Sequence, residues 1–205
     1  QVFTSSFALA DNKVPFTIFH TNDMHGRLGY EEYKGKPTSF GSAREKALID
    51  KEKKENPNRT VIALDAGDAF QGLPVSNQSK GQDMAKAMNE IGYKAMAAGN
   101  HEFDFGLDTV EKYKNNPQNG GWLNFPILST NVYKDGKRLF EPSTIINENG
   151  VKIGIVGVTT PETATKTNPT GIKGVTFKKP IPEVTNEITR IKDKVDFIAV
   201  LAHLG

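Results

Sequence analysis

Three short polar motifs each follow a short apolar run, and this repetition constrains the fold more than any other feature of the chain. Pro15 to Phe19 (PFTIF) leads into HTNDMHG at His20 to Gly26, Thr60 to Leu64 (TVIAL) leads into DAGD at Asp65 to Asp68, and Ala95 to Ala98 (AMAA) leads into GNHEFD at Gly99 to Asp104. The first two runs have the β-branched and aromatic character of strands; the third is weaker. Val151 to Val158 (VKIGIVGV) and Val195 to Ala202 (VDFIAVLA) are the clearest strands, and the second of these delivers His203. Four candidate strands therefore end in candidate ligands. In open α/β sheets ligands collect outside the carboxyl ends of strands, so this pattern predicts one shared site.

Helical stretches separate the strands. Ser42 to Lys54 is rich in helix formers, Gln82 to Ile91 puts Met84, Ala87, Met88 and Ile91 on one face, and Pro182 to Lys194 does the same with Val184, Ile188 and Ile191. Alternating strand and helix predicts an α/β domain. Loops are punctuated by Gly and Pro, as in NNPQNGG at Asn115 to Gly121 and TNPTGIKG at Thr167 to Gly174.

The residue types specify a chemistry. A pair of divalent cations needs oxygen and imidazole donors on stiff strand ends, with a carboxylate able to touch both ions. Asp23, His25, Asp68 and Asn100 supply that set. The chain has no cysteine, so zinc would be held by nitrogen and oxygen alone, and manganese, cobalt or iron are equally admissible to such donors. His20 reads as a structural, hydrogen-bonded histidine, Asp65 as a residue that bonds the turn backbone, and Asn131 as a turn residue. Gly67, Gly99 and Gly106 read as backbone devices for tight turns beside the metals.

At 205 residues the chain is long enough for one well-buried domain, assigned to residues 13–205. A formal charge of +2 makes no case for nucleic acid or an anionic membrane, and the run KEKKE at Lys51 to Glu55 reads as a solvated helix face. No apolar run approaches the roughly 20 residues a membrane helix requires. Residues 1–12 read as a tail carrying a signal-peptide remnant, because Phe7-Ala8-Leu9-Ala10 places small residues where a signal peptidase cuts and a polar stretch follows. With the absence of cysteine, this favours an exported protein.

In order along the chain, HTNDMHG, DAGDAFQGLP, AGNHEFDFG, GVTTPET and AHLG resemble the N-terminal metallophosphoesterase domain of the 5′-nucleotidase family, most nearly its exported Gram-positive members such as adenosine synthases. The resemblance runs from about Val14 to Gly205. It implies a calcineurin-like α/β/β/α four-layer sandwich with two mixed sheets face to face and helices outside. It also implies roles: Asp23 and His25 on a first metal, Asp68 bridging, Asn100 and His203 on a second, and His101 with Asp104 as the catalytic dyad. Glu102 receives no catalytic role. Two cations about 3.5 to 4 Å apart would lower the pKa of a shared water for in-line attack on phosphorus.

The implied activity is hydrolysis of nucleoside 5′-phosphates, such as AMP to adenosine and phosphate, with zinc or manganese as the two divalent ions. Alternatives are a 2′,3′-cyclic nucleotide phosphodiesterase with 3′-nucleotidase activity, a UDP-sugar hydrolase, or a non-catalytic surface module. The family continues beyond His203-Leu204-Gly205 to a further histidine motif and a C-terminal nucleotide-binding domain, so the sandwich is expected to be truncated at its C-terminal side. The resemblance places the full-length protein outside the cell, attached to the cell wall.

Overall fold

The computed structural model describes residues 15–204, and the expected tail at residues 1–12 lies outside them. Twelve strands form among these residues. They are β1 (Phe16–Thr21), β2 (Glu31–Tyr33), β3 (Lys36–Ser39), β4 (Thr60–Asp65), β5 (Tyr93–Ala97), β6 (Ile127–Leu128), β7 (Val132–Lys134), β8 (Lys137–Arg138), β9 (Ser143–Glu148), β10 (Val151–Thr159), β11 (Val175–Phe177) and β12 (Phe197–His203). The helices are α1 (Ser42–Glu55), α2 (Pro74–Asn77), α3 (Gln82–Ile91), α4 (Leu107–Lys114), α5 (Thr163–Lys166) and α6 (Pro180–Ile191). The three long helices anticipated from periodicity all form. α6 begins at Pro180, since proline is well suited to the first helical position and its fixed φ favours entry there.

Two sheets carry the architecture. The first has the order β1-β4-β5-β6 and is wholly parallel; the second has the order β12-β10-β9, with β12 parallel and β9 antiparallel to β10. The expectation of two mixed sheets is thus corrected for the first. Its strands are joined by crossovers that contain helices, a geometry that keeps neighbours parallel, whereas β9 and β10 are joined by a tight Asn149-Gly150 turn that reverses the chain.

Burial follows from this layering. All six residues of β4 are buried because one face meets helices and the other meets the second sheet. Ile62, Leu64, Ala95, Ala97, Leu128, Ile153, Ile155 and Leu201 fill the space between the sheets. Ile49, Val61, Ala63, Met84, Met88, Ile91 and Met96 pack the helical side of the first sheet, and α6 covers β10 on the far side. The result is the helix–sheet–sheet–helix sandwich. In α3 it is Ala85 with Met84, Met88 and Ile91 that is fully buried, with Ala87 at the margin of that face. The KEKKE face of α1 is largely exposed, as anticipated.

Candidate metal centre

The parallel sheet gathers β1, β4 and β5 with their carboxyl ends on one side, and β12 ends on the same side in the second sheet. The loop after β1 is clipped to the loop after β4 by three backbone bonds, from Asp23 N to Gly67 O (2.9 Å), His25 N to Asp68 O (3.0 Å) and Gly26 N to Ala69 O (2.9 Å). Asp23, His25 and Asp68 all lie in the left-handed backbone region, with φ of 51°, 47° and 60°. Side chains other than glycine seldom adopt it, and such conformations concentrate at functional sites where surrounding bonds enforce them.

All seven residues singled out from the sequence come together here. Asp23, Asp68 and His203 present donor atoms within 4.8 Å of one another. His203 Nε2 lies 3.1 Å from Asn100 Oδ1 and 3.3 Å from Asp68 Oδ2. Around a single cation with bonds near 2.1 Å, neighbouring donors sit roughly 3.0–3.4 Å apart, so this trio is spaced as a ligand set would be. His25 Nε2 lies 3.7 Å from Asp23 Oδ1.

Both imidazoles are held in the tautomer that ligation needs. His203 Nδ1–H donates to Ala66 O (2.9 Å) and His25 Nδ1–H to Gln71 O (2.8 Å), which leaves each Nε2 lone pair directed at the cluster. The donor set therefore fits divalent cations: two imidazole nitrogens, three side chains with oxygen donors, and backbone carbonyls behind the rings.

Electrostatics agree with the geometry. Burial works against a charge on His203, but its bond to Asp68, the charge of that carboxylate and that of Glu102 outweigh it and raise the imidazole to about 9. Burial likewise pushes the Asp68 carboxyl up, yet the bonds from His203 and the His101 N–H, with the two imidazole charges, leave it below the usual carboxylate range. A proton on His203 Nε2 and a cation would compete for the same lone pair.

The His101–Asp104 pair stands beside the cluster. His101 Nδ1 and Asp104 Oδ2 are 2.6 Å apart, and the His101 ring packs edge-on against His25 at a centroid separation of 5.4 Å. The other Asp104 oxygen accepts from Thr167 Oγ1 and, at 3.4 Å, from Asn168 N. The His101 main-chain N–H donates to Asp68 Oδ1 (2.8 Å), so the turn bearing the dyad also steadies the central carboxylate. A cleft of about 570 Å³ opens next to the cluster, lined by His20, Asn22, Asp23, Ala66, Leu201 and His203 among others.

The reading of His20 needs correction, while those of Asp65, Asn131 and the glycines hold, with interior partners that the sequence did not show. His20 is exposed in the wall of that cleft and makes no side-chain hydrogen bond among the described residues, which corrects its reading as a hydrogen-bonded structural histidine. Asp65 is wholly buried, accepts from Gly67 N and Thr21 Oγ1, and is driven well above the carboxylate range by burial. Asn131 lies in the bend before β7, as read, and is buried there: its amide donates to Thr159 O and Lys178 O, and its oxygen accepts from Thr159 N and from Ser129 Oγ. Of the glycines, Gly67 has φ 104° and packs against Gly99, whose own added Cβ would lie 2.2 Å from Asp68 Oδ1.

Sequence reasoning missed Glu102 and the Thr167–Asn168 clamp. Glu102 is fully buried and accepts from Asp68 N (2.8 Å), Gly99 N (2.7 Å) and Ala69 N (2.9 Å). Burial first, and then the nearby Asp68 charge, push its carboxyl up to about 7 against the pull of those three N–H groups. Its place inside the NHE triplet was the one available signal. Nothing in the sequence says which backbone groups a buried carboxylate will meet.

Carboxylates, imidazoles and an amide gathered at the strand ends of a helix–sheet–sheet–helix sandwich define the class of metal-dependent phosphoesterases. The chain belongs to the calcineurin-like phosphoesterase family, whose model matches residues 16–205, and members of this family use divalent metal ions. It is 40% identical over 202 residues to a 5′-nucleotidase of Vibrio cholerae, covering 96% of this chain and 35% of that one. It is 36% identical over 201 residues to the protein UshA of Salmonella pullorum, covering 95% of this chain and 35% of that one. Among solved structures, a 5′-nucleotidase precursor from Thermus thermophilus superposes with a TM-score of 0.76 at 34% identity, covering 92% of this chain and 37% of that one. The chain thus spans about a third of the length of these relatives. No helix among the described residues is long and apolar enough to cross a membrane.

Proposed function

We propose that this chain is the catalytic metallophosphoesterase domain of a two-metal 5′-nucleotidase that converts nucleoside 5′-phosphates, such as AMP, to the nucleoside and phosphate. The observation that carries the reading is the convergence of Asp23, Asp68, Asn100 and His203 donors from four strand ends, with the His101–Asp104 pair against them. The names of the relatives support the substrate class.

In this reading Asp23, His25 and Asp68 hold one cation and Asp68, Asn100 and His203 hold the other. Zinc or manganese suits donors without sulfur. When bound, such cations supply charge neutralisation for the phosphoryl oxygens and a lowered pKa for the attacking water. The chain's own residues do the rest. Asp104 takes the Nδ1–H of His101 and so turns Nε2 outward; in its protonated form that nitrogen donates to a phosphoryl oxygen as charge builds in the transition state. Thr167 and Asn168 hold Asp104 from behind and keep the imidazole from turning.

The full-length protein, in this proposal, is exported and acts at the cell surface, attached to the cell wall. A C-terminal domain would bind the nucleoside part of the substrate. The test is phosphate release by the full-length protein from a panel of AMP, 2′,3′-cyclic AMP, 3′-AMP and a UDP-sugar, with zinc or manganese added. AMP should be hydrolysed fastest. Preference for the cyclic nucleotide or the UDP-sugar would replace the substrate assignment, and turnover of none of them would make the domain a non-catalytic module.

A further inference from the structure

One fully buried carboxylate in this region faces no substrate cleft. Glu102 sits in the short 3-10 turn His101–Phe103, and its two oxygens accept three main-chain N–H groups at 2.7–2.9 Å. Those donors belong to two different loops, Asp68 and Ala69 after β4 and Gly99 after β5. They are the loops that carry Asp68 and Asn100. The peptides at 67–69 in turn accept the main-chain N–H groups of Asp23, His25 and Gly26, so whatever fixes those peptides also fixes the loop after β1. The approach is as near as the backbone permits: a Cβ on Gly99 would stand 2.8 Å from Glu102 Oε2.

We propose that Glu102 is a positioning residue for the metal centre, an acceptor-only carboxylate that sets the spacing between the Asp68 and Asn100 loops and, through the Asp68 loop, the placement of Asp23 and His25. This rests on the two-metal reading above. A carboxylate offers acceptors to all three N–H groups at once and presents no donor against any of them. A glutamine keeps the Asp68 and Gly99 bonds through its single oxygen and turns an NH₂ donor against Ala69 N–H. Asp68 makes the precision necessary, since its left-handed backbone has no intrinsic preference for the conformation that aims its carboxylate at His203. Outer contacts of this kind commonly change metal affinity by 10- to 100-fold.

The experiment is titration of the metal-free full-length protein with Mn²⁺ alone, read by the signal of the free ion, alongside thermal unfolding and AMP kinetics at saturating Mn²⁺. Glu102→Gln should raise the Mn²⁺ Kd roughly 10-fold or more while KM for AMP stays within about twofold of wild type. Glu187→Gln is the control for general loss of a buried carboxylate. Glu187 is 3% exposed, is held by Ser143 and Arg190, and lies on α6 away from the cluster, so its variant should lower the Tm and leave the Mn²⁺ Kd unchanged. Should Glu102→Gln fail to fold, Glu102→Asp keeps the charge but draws both acceptor oxygens back by one methylene from the three N–H groups, and should weaken Mn²⁺ binding in the same direction. A Glu102→Gln protein that binds Mn²⁺ as tightly as wild type overturns the proposal whatever its Tm. Failure of the two-metal reading looks different, because the wild type itself would then bind no Mn²⁺.

Discussion

Replacing His101 with alanine isolates the dyad from the metal ligands, because the contact that His101 makes with Asp68 runs through its main-chain N–H and survives the substitution. What is lost is the imidazole, held 2.6 Å from Asp104. Loss of a positioned acid or base costs about 10² to 10⁴ in rate, or about 2.7 to 5.4 kcal/mol of transition-state stabilisation. Asp104→Asn should cost less, on the order of 10- to 100-fold, since the amide oxygen can still accept the His101 Nδ1–H and Thr167 Oγ1 can turn to accept from the amide. The assay is kcat for AMP in the full-length protein, with elemental analysis of each variant. Both variants should keep the wild-type metal content. Loss of metal from His101→Ala would make the imidazole a ligand, and unchanged kcat in both would remove the dyad from the reaction.

Asp68→Ala should abolish occupancy of both cation sites, whereas Asp23→Ala should empty mainly the first and Asn100→Ala the second; two full equivalents of metal in Asp68→Ala would disprove the bridging role. Asn131→Ala removes four side-chain hydrogen bonds that tie the loop before β7 to the end of β10 and Lys178, and should lower stability by about 2–4 kcal/mol in denaturant titration; a loss below about 1 kcal/mol would show that those bonds are replaced. In metal-free protein the raised His203 pKa contributes stability that is fully present below about 6.5 and is lost as pH rises through about 9, so the Tm should fall over that window. Saturating cation should flatten that dependence by displacing the proton, and a flat Tm in the metal-free protein would contradict the His203–Asp68 pairing.

An α/β domain with one site at its strand ends was legible because β1, β4, β5, β10 and β12 are apolar runs and four of them end at candidate ligands, whereas the four-layer sandwich was implied only by the family resemblance. Periodicity found α3 to the residue and β10 to within one. It did not find β6, β7, β8 or β11, each of three residues or fewer, nor the six-residue β9, nor the β2–β3 hairpin, whose strands Glu31–Tyr33 and Lys36–Ser39 are almost entirely polar. Short polar strands are fixed by pairing and not by burial, so no hydrophobic pattern announces them. In the site, the donors were visible as residue types at strand ends. The groups that orient them were not, because Ala66 O and Gln71 O are backbone atoms with no residue signature, and the Thr167–Asp104 bond joins positions 63 apart. His20 misled because a histidine inside an edge strand can face either way, and β1 turns this one outward.

The proposed function requires that Asp23, His25, Asp68, Asn100 and His203 hold two cations for hydrolysis of a nucleotide. Its most direct test is phosphate release from AMP by the full-length protein before chelation, after removal of metal, and after restoration with zinc or manganese, with the metal content measured at each stage. Two equivalents of metal per chain are expected, with loss of turnover on their removal and recovery on their return. AMP hydrolysis that persists in protein freed of metal would contradict it.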